Sequence, residues 1–149
     1  MQWETIEADD LFGVNKLVRL CVEVLKYVQD RNKVEIIVIE DYGFGGKFFN
    51  VDVAELVGML KVMFKYHNIK SKIVFLAPNT TKKCITGNGK AKKSAMVKGI
   101  KQILNLDKKV KLVSHEADAI ALIVTIQKYL TKGFNEEDTR KIQARSYDN

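Results

Sequence analysis

The chain predicts an α/β fold with a parallel sheet covered by helices. Two observations carry this. β-Branched runs occur at residues 34–39 and 72–76, and segments with helical apolar spacing alternate with them. Polar and glycine-containing stretches separate these segments, as α/β units require.

Taken in order, residues 11–30 predict a helix, with Leu17, Val18, Leu20, Cys21, Val24, Leu25 and Val28 recurring along one face. The run Val34-Glu35-Ile36-Ile37-Val38-Ile39 reads as a strand covered on both faces and ends on Glu40. Residues 41–50 are a glycine- and aromatic-rich loop. A helix follows over 51–66, where Asp52 and Glu55 suit the positive N-terminal end of the helix dipole. Residues 72–76 form a second short strand, and 78–91 a polar, glycine-containing loop. A helix over 91–104 offers Ala95, Met96, Ile100, Ile103 and Leu104 as its core stripe. Residues 110–113 are extended and are a candidate third strand. The last helix, 114–130, takes Ser114 as its N-cap and Gly133 as its stop. Residues 1–133 read as one domain and 134–149 as a polar C-terminal tail. The length of 149 residues suits a single domain.

Composition removes several classes of function. No apolar run approaches the ~20 residues of a membrane span. The start, Met1-Gln2-Trp3-Glu4, has neither the basic nor the apolar part of a signal peptide. Cys21 and Cys84 belong to no CxxC or Cys/His cluster, which argues against structural zinc. With no signal peptide, they suggest a reducing, intracellular setting, although a disulfide between them stays open. The net charge of +7 is unevenly placed. Residues 77–106 contain no acidic side chain but hold Lys82, Lys83, Lys90, Lys92, Lys93, Lys98 and Lys101. Charge so concentrated favours a polyanionic partner, nucleic acid first. A solvated basic surface is the plain alternative.

Two phosphate-loop patterns fail. Asp41-Tyr42-Gly43-Phe44-Gly45-Gly46-Lys47 lacks GxGxxG spacing, and Gly87-Asn88-Gly89-Lys90 has Cys84 where a P-loop needs its first glycine. The carboxylates are more informative. Glu40 follows an apolar strand and needs a partner there, either a lysine or a metal ion. At a strand's C-terminal end it faces the crevice where open α/β sheets bind ligands. His115, Glu116 and Asp118 lie in the first turn of the last helix. Acidic residues there suit the helix dipole, and His115 and Asp118, three apart, share one side.

Together these stretches resemble the RuvC-type Holliday junction resolvases of the RNase H-like fold, from about residue 34 to residue 130. Val38-Ile39-Glu40 resembles the family's second acidic position. Phe44-Gly45-Gly46-Lys47 and Ala54-Glu55-Leu56-Val57-Gly58 look like the loop and helix that follow it. The most specific match is 83–93, Lys83-Cys84-Ile85-Thr86-Gly87-Asn88-Gly89-Lys90-Ala91-Lys92-Lys93, which is similar to the basic KxxxTGxGxAxK loop. His115-Glu116-Ala117-Asp118-Ala119 resembles the closing acidic motif, whose first position is Asp or His.

The resemblance implies a metal-dependent endonuclease acting on four-way or branched DNA. Glu40, His115 and Asp118 would be catalytic. Glu40, Asp118 and Glu116 would be the metal-site residues, holding Mg²⁺ with Mn²⁺ as substitute. Lys82, Lys83, Thr86, Asn88, Lys90, Lys92 and Lys93, with Tyr42, Phe44 and Lys47, would contact nucleic acid. A homodimer is implied, since a four-way junction presents two symmetric cleavage points. The family's opening strand, with a first catalytic aspartate in a GIDxG-like pattern, has no counterpart in residues 1–10, so the sheet is expected to lack its N-terminal strands. Asp9 and Asp10 do not follow a strand-like run. A second polypeptide supplying those strands is one expectation from this.

Three functions therefore stand: a junction endonuclease, a catalytically inactive or partner-completed nucleic-acid-binding protein on the same fold, and a small α/β ligand-binding protein. Salt-sensitive DNA binding without cleavage would mark the second. Indifference to loss of the lysines from Lys82 to Lys101 would mark the third.

Overall fold

The computed structural model describes residues 6, 8, 10–31, 34–41, 51–107 and 109–132. Expectations for Asp9, for Tyr42, Phe44 and Lys47, for Gly133 and for the tail 134–149 lie outside those residues. The elements are α1 (Gly13–Asp30), β1 (Ile36–Glu40), α2 (Val51–Tyr66), β2 (Lys72–Leu76), α3 (Pro78–Thr86), α4 (Lys93–Ile103) and α5 (Ser114–Lys132). The architecture is α/β, as the alternating apolar patterns predict.

β1 pairs with β2. Lys72 N–H donates to Glu35 O at 2.8 Å, and Asp41 N–H donates to Leu76 O at 2.9 Å. Both pairings advance in the same direction, so the strands are parallel, and α2 is the crossover that parallel strands need. The buried Ser71 hydroxyl donates to Val34 O at 2.6 Å and holds the entry to the pair. Ile73, Val74, Phe75 and Leu76 are all buried. β1 is only half-buried over Ile36–Ile39, which corrects the expectation of a strand covered on both faces. Its described neighbour in the sheet is β2 alone.

The fold divides into two compact units. The first holds α1, α2, residues 34–37 and residues 67–72. Here α1 packs on α2, and each helix buries one stripe: Leu17, Cys21 and Leu25 on α1, Val57, Leu60 and Phe64 on α2. Full burial of such side chains contributes about 1.5–3 kcal/mol each. The Cys21 thiol donates to Leu56 O at 3.9 Å, and burial pushes its pKa up. Val18, expected in the stripe, is 44% exposed.

The second unit holds residues 38–41 and 73–132. Its helices α3, α4 and α5 pack on one another. Met96 and Ile100 of α4 meet Ala117, Ile120, Ala121 and Val124 of α5, and Leu112 closes the cluster. The α4 stripe is therefore narrower than expected, because Ala95 and Ile103 face outward. Gly99 takes the place of a side chain where α4 crosses α3. A Cβ there would lie 2.8 Å from Ile85 Cγ2.

Two expectations are overturned in this unit. Residues 78–86 are helix, not loop. Pro78 occupies the first turn, where its fixed φ suits a helix and its missing N–H costs nothing. Ala77 O accepts from Thr80 N–H and Thr81 N–H at 3.0 and 3.2 Å. Gly87 ends the helix at φ 78, with its N–H donating to Lys83 O at 2.9 Å. Such a left-handed C-terminal residue is the usual glycine stop. Residues 110–113 form no strand. Their backbone groups are spent locally: Val110 N–H donates to Asp107 O at 3.0 Å, and Val113 N–H to Glu116 Oε2, also at 3.0 Å.

Candidate functional site

β1 carries Glu40 to its C-terminal end, and the Asp41–Leu76 backbone bond just beyond fixes the main chain at that point. The local sequence leaves little choice. Four apolar residues commit the strand to the sheet, and the carboxylate emerges where the strand stops.

Asp118 comes from the opposite kind of element, a helix start. Leu112, immediately before the cap, and Ala117, four residues into α5, are both buried in the same cluster. That is a hydrophobic staple, and it sets the angle at which the chain enters the helix. Val113 is the cap: its carbonyl accepts from Ala117 N–H at 3.0 Å, while its own N–H is taken by Glu116. The expected cap, Ser114, is instead the first helical residue. Asp118 follows the fully buried Ala117 and is itself partly buried, whereas His115 is exposed.

The electrostatics join the two carboxylates. Partial burial pushes the Glu40 carboxyl above its ordinary range, and the nearby Asp118 pushes it the same way. Lys82 and Lys93 pull it back down. Although Glu40 is largely accessible by surface area, enough protein surrounds its carboxyl for desolvation to lead. Lys82 lies on α3 and Lys93 opens α4, so four separate elements contribute to one charged cluster. His115 is not among the described residues acting on Glu40.

The loop between α3 and α4 is built by the residues expected to touch nucleic acid. Thr86 Oγ1 donates to Lys82 O at 2.8 Å and accepts from Asn88 N–H at 3.2 Å. Asn88 Oδ1 accepts from Lys90 N–H at 2.9 Å, closing an Asx-type turn. Gly89 passes close to Asn79, where a Cβ would sit 3.2 Å from the Asn79 carbonyl oxygen. Thr86 and Asn88 thus shape the loop that presents Lys83, Lys90, Lys92 and Lys93, all exposed. Lys92 and Lys93 stand at the N-terminus of α4, the positive end of the helix dipole. Cations are locally unfavourable there, and an anion between them and the free N–H groups relieves the conflict.

Glu40 and Asp118 provide only oxygen donors, which suits a hard divalent cation such as Mg²⁺, a metal that needs few protein carboxylates. The described residues contain no group of three His, Cys, Asp or Glu side chains placed to hold a metal. Glu116, expected in the metal site, has one carboxylate oxygen committed to the Val113 N–H. The sequence groups Lys82 and Lys93 with Lys83, Thr86, Asn88, Lys90, Lys92, Tyr42, Phe44 and Lys47 as expected nucleic-acid contacts. Their distinct place beside Glu40 had one signal, the need of a strand-end carboxylate for a partner.

The family model for crossover junction endodeoxyribonuclease RuvC matches residues 4–126. The chain belongs to the RuvC family. Crossover junction endodeoxyribonuclease RuvC of three Helicobacter pylori strains is 33% identical to it over 107 residues, 70% of this chain. That match spans 65% of the Helicobacter proteins' length, just under two thirds. A Thermus thermophilus RuvC structure superposes with a TM-score of 0.66 at 21% identity, covering 87% of this chain and 76% of that one. T. thermophilus RuvC in complex with Holliday junction substrate gives 0.66 at 20% identity, covering 85% and 75%. At these identities the likeness establishes the fold, which is the RNase H-like fold of RuvC.

Proposed function

We propose that this RuvC-family chain is a Holliday junction resolvase-type endonuclease that hydrolyses phosphodiester bonds in four-way or branched DNA. The observation that carries the reading is the meeting of Glu40 and Asp118 beside Lys82 and Lys93. Glu40, its carboxyl raised by burial and then by the nearby Asp118 charge, gains from a divalent cation shared with Asp118. Mg²⁺ is the natural choice, with Mn²⁺ as substitute. Bound there, such a cation would supply Lewis acidity toward the scissile phosphate.

The chain's own groups do the rest. Glu40 and Asp118 would hold the cation from a strand end and a helix start. Lys82 and Lys93 stand where the phosphate charge would come to rest. Lys83, Lys90 and Lys92, exposed on the shaped loop, engage flanking phosphates as point charges, without reading sequence. His115, exposed on the first turn of α5, suits proton transfer at the edge of the site better than direct contact with a hard cation. Thr86 and Asn88 serve by holding the lysine-bearing loop.

A homodimer is the simplest match to a two-fold junction. A mostly apolar groove of about 470 Å³ on α1 and α2, lined by Val14, Leu17, Gly58, Met59, Val62 and Met63 with Glu55 among them, supports a protein contact on that face. No helix among the described residues is long and apolar enough to cross a membrane.

The test is cleavage of a labelled four-way junction with and without Mg²⁺, with Glu40→Gln alongside. Mg²⁺-dependent paired nicking, lost in Glu40→Gln, supports the proposal. Salt-sensitive binding with no nicking in the parent replaces it with a binding-only protein.

A further inference from the structure

The start of α5 contains a contact that the two-carboxylate site does not explain. Glu116 is two residues from Asp118 and one from His115, so its charge suggests a third metal-site carboxylate. The geometry uses it otherwise. Its Oε2 turns back along the helix and accepts the Val113 N–H at 3.0 Å. That amide has no intrahelical partner available, because it precedes the first turn. Val113 has no side-chain oxygen, so the usual reciprocal cap is missing and Glu116 supplies the only side-chain half of it.

The consequence reaches Asp118 through two fixed points. On the apolar side, Leu112 and Ala117 are pinned in the α4–α5 cluster. On the polar side, Glu116 ties the cap residue to the third position of the helix. Between them the backbone from Leu112 to Ala117 is held at both ends of one turn, and Asp118 is the next residue. Without the polar tie, the first turn can fray while Ala117 remains buried. The direction in which Asp118 leaves the helix would then vary. A small misplacement of a reacting-site group costs far more in rate than in stability.

We propose that Glu116 is a positioning residue that aims Asp118 at Glu40 by accepting the Val113 N–H, and is not itself a ligand of the cation. This rests on the nuclease reading above. The two roles separate cleanly, because a glutamine can accept the same hydrogen bond while lacking the charge a cation ligand needs.

The test compares E116Q and E116A with the parent in the full chain. Three readouts are used: exchange of the Val113 amide by NMR, affinity for Mn²⁺ alone by titration calorimetry, and kcat and KM on a four-way junction. E116Q should keep Val113 protected, with Mn²⁺ affinity and kcat within about threefold of the parent. E116A should lose that protection, melt about 3 °C lower and lose about tenfold in kcat with KM little changed. Equal and large losses of Mn²⁺ affinity in both variants would make Glu116 a ligand and overturn the proposal. Unchanged Val113 exchange and kcat in E116A would overturn it as well. A parent that never cleaves sinks the nuclease reading alone, because amide exchange and Mn²⁺ affinity still decide the role of Glu116.

Discussion

Gly99 offers the sharpest quantitative test of the helix cluster that carries most of the site. A Cβ added there would lie 2.8 Å from Ile85 Cγ2 and 3.4 Å from Ile85 O, with Thr86 Cγ2 at 3.8 Å. The first contact is closer than carbon atoms tolerate. Ile85 Cγ2 hangs directly on a branched Cβ, whose χ1 is stiff, so the methyl cannot swing aside as a long side chain could. The carbonyl behind it belongs to the α3 backbone. Relief therefore requires α3 to move off α4. Overpacking of this kind costs about 2–3 kcal/mol here, within the usual range for extra core methyl groups. Alanine in mid-helix returns about 1 kcal/mol over glycine. Gly99→Ala should thus lose about 1–2 kcal/mol net. Urea unfolding at pH 7 measures it, with Ile85→Ala and the double variant completing a cycle. In the double variant the methyl is gone, so Gly99→Ala should become neutral or stabilising. A Gly99→Ala protein as stable as the parent would refute the argument, as would a cycle with no coupling between the two sites.

Because the folded Glu40 pKa lies above its unfolded value, its contribution to stability is fully present at low pH and is lost as pH rises from about 4.5 through the raised value. Glu40→Gln should therefore be more stable than the parent at pH 7 and no different near pH 3, read by thermal unfolding without divalent cations. Mg²⁺ should raise the melting temperature of the parent and not of Glu40→Gln, since only the parent keeps both carboxylates. The Thr125 hydroxyl is fully buried with no hydrogen-bond partner among the described residues. Thr125→Val should gain about 1 kcal/mol in urea unfolding, and a loss would mean that the hydroxyl has a partner. Lys83→Ala and Lys90→Ala should each lower the slope of log affinity against log salt for junction DNA by about 0.9, whatever the DNA sequence.

Legibility in the sequence varied with the length and periodicity of each signal. The bounds of α2 and β2 match the sequence expectation, because each is a strong apolar pattern with plain breaks at both ends. The positions of the two candidate carboxylates were legible, Glu40 at the end of a strand and Asp118 in the first turns of a helix. α3 is not legible because Pro78, the paired threonines and Gly87 resemble loop composition, yet Pro78 fits the first turn and Gly87 the stop just past the last one. The candidate third strand at 110–113 failed because four residues carry too little pattern to reveal that their amides bond to Asp107 and Glu116. Which lysines act on Glu40, namely Lys82 and Lys93, depends on how the helices pack. No local spacing encodes that.

The arrangement of the second unit also bears on how the protein folds. Among the described residues, 73–107 and 109–132 of this unit follow one another in sequence, and the short piece Val38–Asp41 joins them from earlier in the chain. Contacts of α4 with α3 and with α5 close shorter loops than the pairing of β1 with β2, as in Asp41 with Leu76, so the α4 contacts are expected first. The helix cluster is thus expected to form first, carrying Asp118 and the lysines, with Glu40 arriving last. Substitutions at Met96 or Ile120 should then slow refolding, and substitutions at Val38 should mainly speed unfolding, a contrast that stopped-flow kinetics would read. A nascent or partly folded chain would expose a finished cationic surface before its carboxylate pair is complete. On the nuclease proposal, such a chain would bind nucleic acid before it could cut it.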